Sequence, residues 1–125
     1  MGQSTPPPRP VILVVEDEPL QRLMAVDLVE DAGFEVVDVA SAAEAVHVLE
    51  RRPDIRVVFT DIDMPGGLNG MQFAVAIRDR WPPIELIIVS GKRRLRSDEL
   101  PARGVFFAKP YKKHEITAAM RRMVG

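Results

Sequence analysis

Four short apolar runs in this chain each lead into a residue that can do chemistry. Val11-Ile12-Leu13-Val14-Val15 leads into Glu16-Asp17, Val57-Val58-Phe59-Thr60 into Asp61, Leu86-Ile87-Ile88-Val89 into Ser90, and Val105-Phe106-Phe107-Ala108 into Lys109. Runs of this length, rich in β-branched and aromatic residues and bounded by polar or Pro/Gly stretches, read as buried strands. If the strands are parallel, all of these groups share one edge of a sheet. In open α/β sheets that edge, at the crevice where strand order reverses, is where ligands bind. An acid pair, an acid, a hydroxyl and an amine converging there describe a phosphoryl site with a metal.

The segments between the runs support the parallel arrangement. Pro19 suits a first helical position, and Leu20, Leu23, Met24 and Leu28 recur at helical spacing until Gly33 stops the run. Glu35 to Ala40 reads as a strand. Ser41 with Glu44 three residues later forms a capping box for a helix through about Arg51, which Pro53-Asp54 ends. A third helix runs from about Gly70 to Arg80 and closes at Trp81-Pro82-Pro83. The segment from Gly91 to Gly104 is polar and contains Pro101, which leaves room only for a short helix near Arg96 to Leu100. Ile116, Met120, Met123 and Val124 mark the inner face of a last helix. Strands alternating with helices imply an α/β fold, a five-stranded parallel sheet covered on both faces with right-handed crossovers.

Size and composition narrow the function classes. A chain of 125 residues, 46% hydrophobic, has the material for one core and no room for a second catalytic domain. Residues 1–10, with Pro6, Pro7, Pro8 and Pro10, have the composition of an extended, disordered tail, so the domain spans 11–125. The net charge of −1 favours neither a nucleic-acid nor a membrane partner. The run Lys92-Arg93-Arg94-Leu95-Arg96 has no interleaved aromatic residues, so it reads as a solvated loop or a docking surface for an acidic partner. Without cysteine there are no thiolate sites or disulfides. No apolar stretch approaches the roughly 18 residues of a membrane span, and the expected location is cytoplasmic. His47 and His114 lack ligand-spaced neighbours and read as bystanders.

Carboxylates of Glu16, Asp17 and Asp61 brought together repel by about 1 to 4 kcal/mol per pair at 4 Å, depending on the effective dielectric. A divalent cation removes that cost, and hard oxygen ligands with open positions suit Mg2+. Lys109 supplies a fixed positive charge for a phosphoryl oxygen, and Ser90 a hydrogen bond to another. Asp61 is then a nucleophile of the aspartyl-phosphate kind.

With these residues in place, the chain resembles the receiver domain of two-component response regulators over Val11 to Val124. The resemblance rests on Glu16-Asp17, on Asp61 followed by Met64-Pro65 and a later glycine, on Ser90 followed by a small residue, and on Lys109-Pro110. It implies a doubly wound, flavodoxin-like receiver fold of strand order 2-1-3-4-5. It implies phosphorylation of Asp61 by a histidine kinase or phosphotransfer protein. Mg2+ would be bound by Glu16 or Asp17, by Asp61 and by the backbone carbonyl of Asp63. Self-catalysed phosphorylation and dephosphorylation are also implied, with the Asp63 side chain placed to influence the hydrolytic water. Ser90 and Phe106 occupy the positions of the family's switch pair, and Phe106 lacks the hydroxyl of a tyrosine switch.

Departures from the family pattern carry their own expectations. The loop Pro65-Gly66-Gly67-Leu68-Asn69-Gly70 is longer than the common spacing, and the stretch from Ser90 to Lys109 is shorter. A short or irregular fourth helix follows, so the usual output surface is not assumed. No output domain follows Gly125, which reads as a stand-alone receiver that acts on a downstream protein target or as a phosphate shuttle or sink. A homodimer is open. Two other classes stand beside this one. Asp61-Ile62-Asp63 looks like the nucleophile motif of haloacid-dehalogenase-type phosphatases, although the other acids lie upstream and no cap segment is present. A phosphorylation-independent, receiver-like binding module is the third.

Overall fold

The computed structural model describes residues 9–64 and 70–125. Most of the expected tail and most of the long loop after Met64 lie outside them. In chain order the elements are β1 (Val11–Val15), α1 (Pro19–Asp31), β2 (Glu35–Val39), α2 (Ala42–Arg51), β3 (Ile55–Asp61), α3 (Gly70–Arg80) and β4 (Glu85–Ser90). A 3-10 turn (Ser97–Glu99), β5 (Gly104–Ala108) and α4 (Lys113–Val124) complete the chain. The strands form one parallel sheet in the order β2-β1-β3-β4-β5, as the resemblance implies. Among the described residues no helix is long and apolar enough to cross a membrane.

Alternation along the strands divides the core. Leu13, Val15, Val58, Leu86 and Ile88 face α2 and α3, where they meet Ala45, Leu49, Phe73 and Ile77. Ile12, Val14, Val57, Phe59, Ile87 and Val89 face α1 and α4, against Leu28, Val29, Ile116 and Met120. Each fully buried Leu, Ile or Val contributes roughly 1.5–3 kcal/mol. The helix starts follow local chemistry. The Glu18 carboxylate accepts the amides of Leu20 and Gln21 at 3.2 and 2.7 Å, with Pro19 as the first helical residue. Ser41 accepts from Glu44, and the Glu44 side chain accepts from Ala40. Gly33, with φ +94°, ends the turn after α1 in a conformation that favours glycine.

Two details differ from the pattern in the sequence. Of the residues that mark the helical period of α1, Leu28 is buried with Ala25 and Val29, whereas Leu20, Leu23 and Met24 are exposed. The helix expected near Arg96 to Leu100 is only the 3-10 turn, which buries no residue. Pro101 disfavours helical geometry at the residue before it, and Leu100 is extended at ψ 146°. In α4 the expected inner face holds, with Ile116 and Met120 buried and Met123 and Val124 half-buried.

Candidate functional site: the carboxyl edge of the sheet

Register brings the site together. Val15 pairs with Thr60, so Glu16 leaves β1 beside Asp61. Asp61 pairs with Val89 and Ser90 with Ala108, which puts Ser90 and Lys109 on the other flank. The backbone amide of Lys109 donates to the Ser90 carbonyl at 2.9 Å and fixes the two strand ends together.

Asp61 and Glu16 are buried, at 5% and 6% exposure. Lys109 Nζ donates to Asp61 Oδ2 at 2.5 Å, to Glu16 Oε1 at 3.2 Å and to Gln21 Oε1 at 2.5 Å. The other Asp61 oxygen accepts the Asp63 amide at 2.7 Å, and the other Glu16 oxygen accepts the Glu18 amide at 3.1 Å. Burial pushes the Glu16 carboxyl up to about 7; the Glu18 amide opposes this, and the nearby Asp61 charge adds to it more than Lys109 relieves. Burial lowers the Lys109 ammonium, but its bonds to Asp61 and Glu16 prevail and hold it above its ordinary value.

A second group of contacts lies on the β4 side of the rim. The Ser90 hydroxyl, fully buried, donates to Asp63 Oδ1 at 2.8 Å and accepts the amides of Lys92 and Arg93 at 3.1 and 2.9 Å. Asp63 Oδ2 accepts the amides of Gly91 and Lys92 at 2.8 and 3.3 Å. Burial raises the Asp63 carboxyl, but the bonds from Ser90, Gly91 and Lys92 outweigh it and hold the group below the usual carboxylate range.

The residues singled out in the sequence fall into two sets. Glu16, Asp61 and Lys109 touch, and Ser90 and Asp63 touch beside them. Asp17 is exposed, one residue beyond Glu16, and makes no side-chain contact with the others among the described residues. Phe106 is half-buried on the α2/α3 face of the edge strand, in register with Ile88. His47 and His114 are exposed, and among the described residues neither is hydrogen-bonded to Glu16, Asp61, Asp63, Ser90 or Lys109. Gln21 is the partner that pattern reading missed; its place one turn into α1, after the capping Glu18, was the available signal. Tyr111 was also missed. Its ring meets Phe59 with centroids 5.9 Å apart and helps line a cavity of about 430 Å3 between α1 and the Lys109 strand end.

The donor set can be tested against a metal ion. Among the described residues no three His, Cys, Asp or Glu side chains are grouped to hold one. Mg2+ commonly takes one or two carboxylates, keeps several waters and adds phosphate oxygens. Two buried carboxylates sharing one ammonium fit that habit.

The family model described as the response regulator receiver domain matches residues 12–121. The chain belongs to the response regulator receiver family. Receiver domains are phosphate-accepting modules of two-component signalling. The receiver is 41% identical over 80 residues to the hydrogenase transcriptional regulatory protein HoxA of Cupriavidus necator, covering 64% of this chain and 16% of that protein. It is 29% identical over 120 residues to the aerobic respiration control protein ArcA of Escherichia coli K12, covering 93% of this chain and 49% of ArcA. Among solved structures, a response regulator receiver protein from Sinorhizobium medicae superposes with a TM-score of 0.83 at 27% identity, covering 91% of this receiver and 93% of that chain. This chain spans less than half the length of these curated relatives.

Proposed function

We propose that this receiver accepts a phosphoryl group on Asp61 from a histidine kinase or phosphotransfer protein, in the cytoplasm, and signals through a changed protein-binding surface. The observation that carries this reading is the Asp61 carboxylate itself, buried at the end of β3 with Lys109 on one oxygen and a backbone amide on the other. An Asp61 oxygen attacks phosphorus and the bond from phosphorus to the donor nitrogen breaks, its electron pair staying on nitrogen, so that a donor imidazole already protonated on its other ring nitrogen leaves neutral. The product is an acyl phosphate. Lys109, already on the acceptor, passes its contact to a phosphoryl oxygen, so the developing charge meets a cation with no reorganisation of the chain. Mg2+, when bound, would supply further charge neutralisation, and Glu16 or Asp17, Asp61 and the Asp63 backbone carbonyl are the groups that would hold it. Ser90 and Phe106 then carry the change toward the edge strand. Shifting a two-state surface from 1:99 to 99:1 requires roughly 5.5 kcal/mol of preference.

Partner chemistry finds support on α1. Leu20, Leu23 and Met24, exposed at 63%, 56% and 50%, form an apolar stripe on the helix that also supplies Gln21 to the site. Such a stripe suits the apolar face of a helical phosphoryl donor. Intact-mass measurement after acetyl phosphate and Mg2+ tests the function. A labile, metal-dependent gain of one phosphoryl group on the parent chain, absent from Asp61→Asn, is the expected result. The same gain on Asp61→Asn overturns the assignment.

A further inference from the structure

The Ser90 hydroxyl has one proton to give and two lone pairs to share, and all three are in use. Its oxygen accepts the Lys92 and Arg93 amides, which aims its proton at Asp63 Oδ1. Asp63 Oδ2 gathers the Gly91 and Lys92 amides from the same loop. A carboxylate thus holds three donors at the end of β4, two residues along the chain from the acceptor. The two carboxylates share one turn, because the Asp63 amide binds Asp61 Oδ1. Gly91 lies in the seam between Asp63 and the lysine. A Cβ built there would sit 3.7 Å from Lys109 Cβ and 3.9 Å from Asp63 Oδ2.

We propose that the Asp63 carboxylate is an internal stand-in for the phosphoryl anion, a latch that occupies the Ser90 hydroxyl and the Gly91 amide and must release them when Asp61 is phosphorylated. The proposal rests on the reading of Asp61 as acceptor. A hydroxyl with a single proton cannot serve two anions at full strength, so Asp63 and the phosphoryl group compete for it. Two negative groups on one turn also repel, which adds to the competition. Asp63 is therefore a positioning residue. It holds the β4 loop in one arrangement before phosphorylation and opposes the arrangement that follows. Its removal leaves Ser90 and Gly91 free to bind the new anion, so the phosphorylated form gains stability.

Beryllofluoride, a phosphoryl mimic that water does not hydrolyse, separates this competition from any effect on the hydrolytic water. Its affinity is measured at saturating Mg2+ for the parent, Asp63→Ala and Asp63→Asn. Asp63→Ala is expected to bind on the order of tenfold more tightly than the parent, the effect of one charge-assisted hydrogen bond. Asp63→Asn, which keeps an acceptor oxygen for Ser90 but loses the charge, falls between them and carries the test if Asp63→Ala does not fold. In the free protein, the Gly91 and Lys92 amide resonances of both variants are displaced from their parent positions, and a residue with only a remote structural role would leave them in place. Equal or weaker binding by both variants overturns the latch while leaving the acceptor assignment intact. No binding by any of the three chains overturns the acceptor assignment, and the latch with it.

Discussion

The crossover from β3 to β4 and the crossover from β4 to β5 perform the same topological task with opposite materials. The first carries α3, which buries Gly70, Phe73, Ala74 and Ile77 against the sheet. The second, residues 91–103, has one 3-10 turn and no fully buried residue, with Leu95 and Leu100 half-buried against the core. A helix in a small domain is held mainly by its apolar face rather than by propensity. The β4–β5 segment offers only Leu95 and Leu100, both half-buried, because Lys92, Arg93, Arg94, Arg96, Asp98 and Glu99 are all exposed. What orders its start is the set of bonds from Asp63 and Ser90. Covering a sheet with packing gives a fixed wall. Covering it with a few polar bonds gives a wall that a change of charge can move.

The contrast can be broken by substitution. Phe73→Ala should cost about 3–5 kcal/mol in urea unfolding, the range for an aromatic residue lost from a core. A loss below about 1 kcal/mol would remove α3 from the well-covered half. Glu16, at the end of the buried strand β1, is itself buried. Its carboxyl lies near 7 in the folded chain against an ordinary 4.5, so the folded state binds the extra proton between those values. Stability of the metal-free protein is therefore greatest below about pH 4.5 for this group and declines as pH rises to about 7, by up to about 3 kcal/mol. Glu16→Gln should flatten that part of the profile in thermal unfolding. A Cβ at Gly70 would lie 2.2 Å from the Ile62 Cα, so Gly70→Ala forces the helix start off β3 and should cost about 2 kcal/mol. Leu95→Ala, in the thinly covered half, should cost less than about 1 kcal/mol, since the side chain is only half-buried. Hydrogen exchange sharpens the comparison. Amides of residues 94–103 are expected to exchange well before those of α3, and equal protection would erase the distinction.

The central strands β1, β3 and β4 and their terminal residues were legible in the sequence because burial on both faces leaves continuous apolar runs. Once the strands are parallel, the meeting of Glu16, Asp61, Ser90 and Lys109 follows from register. The short segment after Ser90 was legible for a similar reason, since Pro101 and a run of charges deny it a buried face. The face of α1 was not. Leu20, Leu23 and Met24 are exposed while Ala25, Leu28 and Val29 fill the space above the sheet, and periodicity alone does not tell which side of a helix is covered. The Asp63 contacts were also hidden. They join positions far apart in the chain, and they depend on which rotamer the loop after β3 imposes.

Among the described residues the outer strand β5 pairs with β4 alone, and its other backbone edge has no partner strand. Val105-Phe106-Phe107-Ala108 is also the kind of sequence that templates edge-to-edge association between chains. It is bracketed by two cations, Arg103 and Lys109, which act as gatekeepers against such stitching. The lysine that binds the Asp61 carboxylate in the folded chain thus also flanks this strand with a charge whenever the site opens. Removing it withdraws a guard from the strand as well as a charge from the site, so any loss of phosphorylation in a Lys109 variant is interpretable only beside a measurement that the chain stays monodisperse.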